Sequence, residues 1–169
     1  MDEDFASFAR DRQQPLYRTA YLLCANRERA QDLVQSTLVA LLRSWSKVRD
    51  AENPDAYAKT ALVRTFLSER RKLRREAEVQ ALALSRDPDE GRRGAEGDVE
   101  LRLLILEALR TLPPKPRAMV ILRYWEDLSI EQTAAVLGCS TGNVKSQCSR
   151  SLDKLRVLLG DHFVELVAN

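Results

Sequence analysis

Residues 129–156 contain Ser129, Gly138 and Ser140, three punctuating residues whose spacing leaves room for two short helices across a tight turn. Ser129 caps a first helix whose start suits Glu131 and Gln132, and whose apolar side is Ile130, Ala134 and Leu137. Gly138 ends that helix, because glycine tolerates the left-handed backbone of a sharp exit. Ala134 is small enough for the two helices to approach closely. Ser140 then caps a second helix with the buried stripe Val144, Cys148, Ser151, Leu152 and Leu155.

That stripe leaves Thr141, Asn143, Lys145, Ser146, Gln147, Ser149 and Arg150 facing outward, hydrogen-bonding residues suited to base edges and phosphates. A helix-turn-helix of this kind fits the DNA major groove, although a plain helical hairpin with a solvated basic face has the same pattern.

The net charge is only +2, but it is unevenly spread. Residues 59–75 hold Lys59, Arg64, Arg70, Arg71, Lys72, Arg74 and Arg75 against one acid, Glu69, whereas 1–4 and 87–100 are rich in acids. A local patch of this kind marks a polyanion-binding surface; a solvated helix end is the bland alternative. Cys24, Cys139 and Cys148 have no metal-like spacing, and His162 is the single histidine, so no metal site or cofactor is expected. The odd cysteine count suits a reducing compartment. Cys24 and Cys148 lie on apolar stripes, and Cys139 falls in the turn as a candidate thiol switch. With no signal segment and no apolar run of membrane-spanning length, a cytoplasmic protein without membrane insertion is expected.

Helical spacing continues through the first half. Phe5, Phe8, Leu16, Tyr17, Ala20, Tyr21 and Leu23 mark one or two helices to about residue 25, and Asn26 breaks the run. A helix over 28–45 follows, with Ala30, Leu33, Val34, Leu38, Leu41, Leu42 and Trp45 on its core face and Asp32, Gln35, Ser36 and Arg43 away from it. Residues 46–54 lack periodicity and read as a surface loop. Pro54 begins a helix carrying Ala56, Tyr57, Leu62, Val63, Phe66 and Leu67 into the basic cluster. The polar stretch 85–98 holds three of the six glycines and no apolar stripe, the composition of a flexible linker. Beyond it come a helix over 99–112, a turn at the prolines of 113–116, and a helix over 117–125. The expected fold is all-α: two small helical domains, 1–80 and 99–169, joined by a flexible linker, 81–98.

Taken together, the two halves resemble a sigma factor of the extracytoplasmic-function (ECF) group, bacterial promoter-recognition subunits that retain regions 2 and 4. The resemblance rests on RTAYLL at 18–23, AQDLVQ at 30–35, Trp45 and NPDAY at 53–57 in the first half. In the second it rests on ALRTLPP at 108–114, LRYWEDLS at 122–129, LGCS at 137–140 and NVKS at 143–146. The first half is also similar to the actinobacterial SigE-type subfamily.

The resemblance implies partners and roles. Asp32 and Gln35 would contact the beta-prime clamp of core RNA polymerase. The segment 47–53 would capture an extruded base of the −10 element, with Arg49, Asp50 and Asn53 as candidates beside simple loop solvation; Lys59, Arg64, Arg70 and Arg71 would hold phosphates near the bubble. Lys145, Gln147, Ser149 and Arg150 would read the −35 element, and Arg123 stands where a backbone-contacting arginine usually sits. Tyr124 and Trp125 would serve the core or a beta-flap contact. Gln147 stands where the family often has arginine and Arg64 where it often has asparagine, so the promoter sequence does not transfer. An anti-sigma factor is one of several regulators left open, and the apolar tail 162–169 reads equally as a last helical turn or a degradation signal.

Two other classes compete. An autonomous regulator with a response-regulator type helix-turn-helix would leave the basic third helix unexplained, and the first half lacks the alternating strands and helices of a receiver. An enzyme is disfavoured, because one histidine, no glycine-rich phosphate loop and no clustered carboxylates leave nothing to carry catalysis.

Overall fold

The computed structural model describes residues 3–80 and 98–168, and the chain divides into two compact units, 1–90 and 91–169. The expected linker, 81–98, lies outside the described residues except for Asp98. Every element among the described residues is helical.

In the first unit α1 (Glu3–Cys24), α2 (Arg27–Arg43) and α4 (Pro54–Gln80) pack on one another, and the short α3 (Trp45–Arg49) bridges α2 and α4. The core is built on helical spacing: Phe5, Leu16, Ala20 and Leu23 from α1; Ala30, Leu33, Val34 and Leu41 from α2; Ala58, Leu62, Val63 and Phe66 from α4. α1 is one helix that runs through Pro15. It ends as Ala25 takes a left-handed backbone (φ 53°), and Asn26 caps α2 by accepting Arg29 N–H at 2.9 Å. Arg12 pairs with Asp55 and lies over the Phe8 ring, tying α1 to the first turn of α4.

Both units depart from what the sequence leads one to expect. The helix expected over 28–45 breaks at Ser44, whose Oγ donates to Ala40 O at 3.0 Å and competes with the backbone for that carbonyl. Trp45 then opens α3 and meets Phe5 edge-on at 5.3 Å and Phe8 at 5.2 Å. Half of the expected loop 46–54 is therefore helix, pinned by fully buried Val48, while Leu42 is exposed instead of lying in the core. In the second unit the prolines of 113–116 start a helix instead of forming a turn. Proline is tolerated in a first turn because those N–H groups have no intrahelical acceptor, and Arg117 N–H makes the opening bond, to Pro113 O at 3.0 Å.

The second unit comprises α5 (Asp98–Arg110), α6 (Pro114–Tyr124), α7 (Ile130–Leu137), α8 (Thr141–Leu159), a 3-10 turn (Gly160–His162) and α9 (Phe163–Val167). The long α8 is its centre, with α5, α6, α7 and α9 packed against it. Buried Arg117 donates from Nη2 to Leu112 O at 2.9 Å and Arg110 O at 3.3 Å, satisfying carbonyls at the end of α5. The tail folds back on α8 through fully buried Leu166, and Arg156 covers the Phe163 ring at 4.8 Å.

Candidate nucleic-acid interface

The helix-turn-helix is built as its punctuation requires. Ser129 Oγ accepts Gln132 N–H at 3.0 Å, and Gln132 Oε1 accepts Ser129 N–H at 2.8 Å, a reciprocal capping box. Gly138 leaves α7 at φ 64°, and its N–H and that of Cys139 both reach Ala134 O. Ser140 Oγ accepts Asn143 N–H at 3.1 Å to start α8. Met119, Ala134, Val144 and Cys148 form the buried cluster, with Ile130, Leu137 and Cys139 against it. Buried Thr133 and Val136 were not anticipated on the inner side of α7. Burial pushes the Cys148 thiol up from its ordinary value of 9.0, against the opposing charge of nearby Arg123.

The face of α8 away from this cluster is polar. The 3.6-residue turn sets Ser146, Ser149 and Arg150 at its middle and Lys145 and Gln147 on opposite flanks. Lys145, Ser149 and Arg150 are exposed; Gln147 and Asn143 are half-buried. Arg150 spends one of its five N–H donors on Ser146 O at 3.4 Å. Arg123 lies apart from this face on α6, half-buried, donating to Leu128 O.

In the first unit, the end of α2 and the start of α4 enclose a cleft of about 450 Å³ whose lining includes Ser44, Asn53, Tyr57, Thr60 and Arg64. It brings Asn53 and Arg64 together; Arg49, Asp50, Lys59, Arg70 and Arg71 are outside its lining. Asn53 caps α4, its Oδ1 accepting Ala56 N–H at 3.1 Å. Arg49 and Asp50 pair with each other at 3.3 Å in the open. Arg70 stacks over Phe66 at 5.6 Å, and Arg71 donates to Leu67 O at 3.4 Å. Arg64, Arg71 and Arg75 share one exposed side of α4 at i, i+7 and i+11, a row of cations leading away from the cleft. Sequence reasoning missed Ser44, Tyr57 and Thr60 as cleft residues, since the wall is shared by two helices.

On α2, exposed Asp32 and Gln35 continue into exposed Val39 and Leu42, a stripe of carboxylate, amide and two aliphatic side chains. Such a mixture on one helix face suits a protein partner more than a polyanion. Among the described residues no three His, Cys, Asp or Glu side chains cluster as a metal site, and no helix is long and apolar enough to cross a membrane.

Comparison with known proteins adds to this geometry. The family model for sigma-70 region 2 matches residues 8–76, and that for sigma-70 region 4 matches 102–155. The chain is 36% identical over 153 residues to the RNA polymerase sigma-E factor of Streptomyces coelicolor, covering 90% of this chain and 84% of that one. It is 32% identical over 152 residues to the RNA polymerase sigma factor SigV of Bacillus subtilis, covering 88% and 87%. Among solved structures it is similar to the sigma factor RpoE of Bartonella quintana in complex with the anti-sigma factor NepR. That likeness has a TM-score of 0.71 and 28% identity, over 94% of this chain and 98% of that one.

Proposed function

Because this chain belongs to the sigma-70 family, and within it to the ECF group, we propose that it binds core RNA polymerase in the cytoplasm, delivers it to promoters by reading −35 and −10 elements, and helps melt the DNA. The observation that carries this reading is the order of parts. A unit with a cleft and a cationic row precedes a unit with a capped helix-turn-helix, and each falls within its own family match.

Residues 1–80 serve core polymerase and the −10 element, 99–169 serve the −35 element, and 81–98 link them. The α2 stripe begun by Asp32 and Gln35 meets the clamp. The cleft receives an unstacked base, whose extrusion costs a few kcal/mol that the contacts must return. Tyr57 offers a ring, and Asn53 and Thr60 offer polar groups for the base edge, with Arg49 and Asp50 as −10 contacts outside the cleft lining. Lys59, Arg64, Arg70 and Arg71 hold the backbone of the opened strand. On α8, Lys145 and Ser149 contact phosphates and base edges; Arg150 is placed to bond guanine O6 and N7, and Gln147 to bond adenine N6 and N7. The protein performs no catalysis itself, since its work is recruitment, positioning and strand capture. Likeness to a sigma factor solved with an anti-sigma factor supports regulation by such a partner here.

The test is a gel shift on a genomic promoter pool with this protein, core polymerase, or both, followed by permanganate footprinting. Melting only when both are present supports the proposal. Specific duplex binding by the protein alone, unchanged by polymerase, would reject it.

A further inference from the structure

Leu128, in the loop between α6 and α7, is held by both of its backbone groups. Its N–H donates to Leu122 O at 2.9 Å, and its carbonyl accepts from Arg123 Nη1. The preceding residue, Asp127, sits at φ 52° in the left-handed region, so the loop keeps a backbone its sequence does not favour by itself. Ser129 comes next. Its cap on Gln132 starts α7, and its carbonyl takes Thr133 N–H at 2.9 Å and Thr133 Oγ1 at 2.8 Å. Ala134, one residue on, packs in the cluster with Val144 and Cys148 of α8. An unbroken path of bonds and contacts therefore runs from Arg123 through Leu128 and Ser129 to the inner side of α8.

Arg123 itself is turned toward this path. It is half-buried, its guanidinium lies 5.9 Å from the Tyr124 ring centroid, and its charge acts on the Cys148 thiol. A fork bonded to a carbonyl beside a ring is a fixed strut, unlike the mobile point charge that makes an adaptable phosphate contact.

We propose that Arg123 is a positioning residue for promoter reading, which fixes the exit of α7 from its loop and so the seat of α8, in place of the DNA-backbone contact that family resemblance assigns to it. The proposal rests on the reading of α8 as the −35 reader.

The test uses the full chain as wild type, Arg123→Met, Arg123→Lys, Ser129→Ala and the Met/Ala double variant. Amide exchange is followed on the free chains. Duplex affinity is measured with core polymerase on a sequence that wild-type holoenzyme selects from a randomised library. Arg123→Met is expected to speed exchange at 128–133 by about tenfold while leaving the central turns of α8 as in wild type. It is expected to lower affinity about tenfold without changing the slope of log K against log salt. Arg123→Lys should lose nearly as much affinity although it keeps the charge, and the double variant should bind little worse than Ser129→Ala, because both act through one cap.

Unchanged exchange overturns the proposal, as does a slope reduced by about one with binding rescued by lysine, which is how a phosphate contact behaves. Loss of protection throughout the second unit also overturns it, since that is general destabilisation. If wild-type holoenzyme selects no duplex, the −35 reading fails and takes the promoter role of Arg123 with it. Exchange in the free chain separates that failure from a failure of the strut.

Discussion

Asn53 Oδ1 accepts the backbone N–H of Ala56 at 3.1 Å, so a residue lining the candidate base cleft also starts the helix that carries the cationic row. The two roles use different atoms: the cap needs the oxygen, and base reading needs the amide N–H groups. Asn53→Ala should lose both, costing about 1 kcal/mol of stability together with promoter melting. Asn53→Asp should keep the cap and lose the donors. Thermal unfolding and permanganate reactivity, measured side by side, should therefore agree for alanine and disagree for aspartate.

Under the proposed function, Arg150 serves promoter reading and Asp32 serves polymerase recruitment. Arg150→Ala should relax discrimination at one −35 position by about 1–3 kcal/mol, whereas Asp32→Ala should weaken core polymerase binding with the base preference intact. Competition binding by holoenzyme against point-substituted promoter duplexes checks the first, and polymerase titration checks the second. Equal effects of both substitutions on promoter preference would contradict the division.

Gly138 and Gly142 should respond oppositely to alanine. At Gly138 a Cβ meets nothing within 4 Å, but φ is 64°, so the substitution should cost about 1–2 kcal/mol. At Gly142, inside the first turn of α8, the nearest atom is Ser140 Oγ at 4.0 Å, and alanine should stabilise by about 0.5 kcal/mol. Urea midpoints that move in opposite directions with unchanged m values would show both effects.

Cys148 makes the second unit weaker in alkali. Its folded thiol holds its proton more tightly than the unfolded one, so its stability contribution is complete below the ordinary value of 9.0 and is lost as pH rises through the higher folded value. Cys148→Ala should remove that increment from the stability difference between neutral and alkaline pH. In the same range iodoacetamide should label half-buried Cys139 before Cys148, a difference that peptide mass mapping reads directly.

The tail is a structural part of the second unit. Leu166 is fully buried although α9 has only five residues, so Leu166→Ala should cost about 2 kcal/mol in denaturant unfolding. A tail serving only as a degradation signal would leave the unfolding midpoint where it was.

What was legible in the sequence was mostly local. Ser129, Gly138, Ser140 and Asn26 act on groups within five residues, and each stands at the helix end its chemistry suits. The core faces of α1, α2 and α4 largely followed from spacing, because burial on a helix repeats every turn; Leu42 and Ala56 are exposed instead, and Ala58, outside the expected stripe, is buried. What escaped notice depends on distant partners. α3 has a single buried side chain, Val48, and no periodicity announces five residues whose place is set by α2 and α4. The burial of Arg117 has no sequence signal, because its partners are carbonyls, which every residue has. The cleft escaped as well, since three of its ten lining residues come from 40–44 and the other seven from Asn53 onward.

The break at Ser44 turns Trp45 into the aromatic cluster of the first unit, and the chain's other tryptophan, Trp125, closes α6 in the second. Each half of the protein thus carries its own intrinsic fluorophore, and each indole can be replaced by phenylalanine to silence one channel. Under the proposed function, polymerase binding at the first half and −35 duplex binding at the second would then be timed separately in an unlabelled protein, by emission alone.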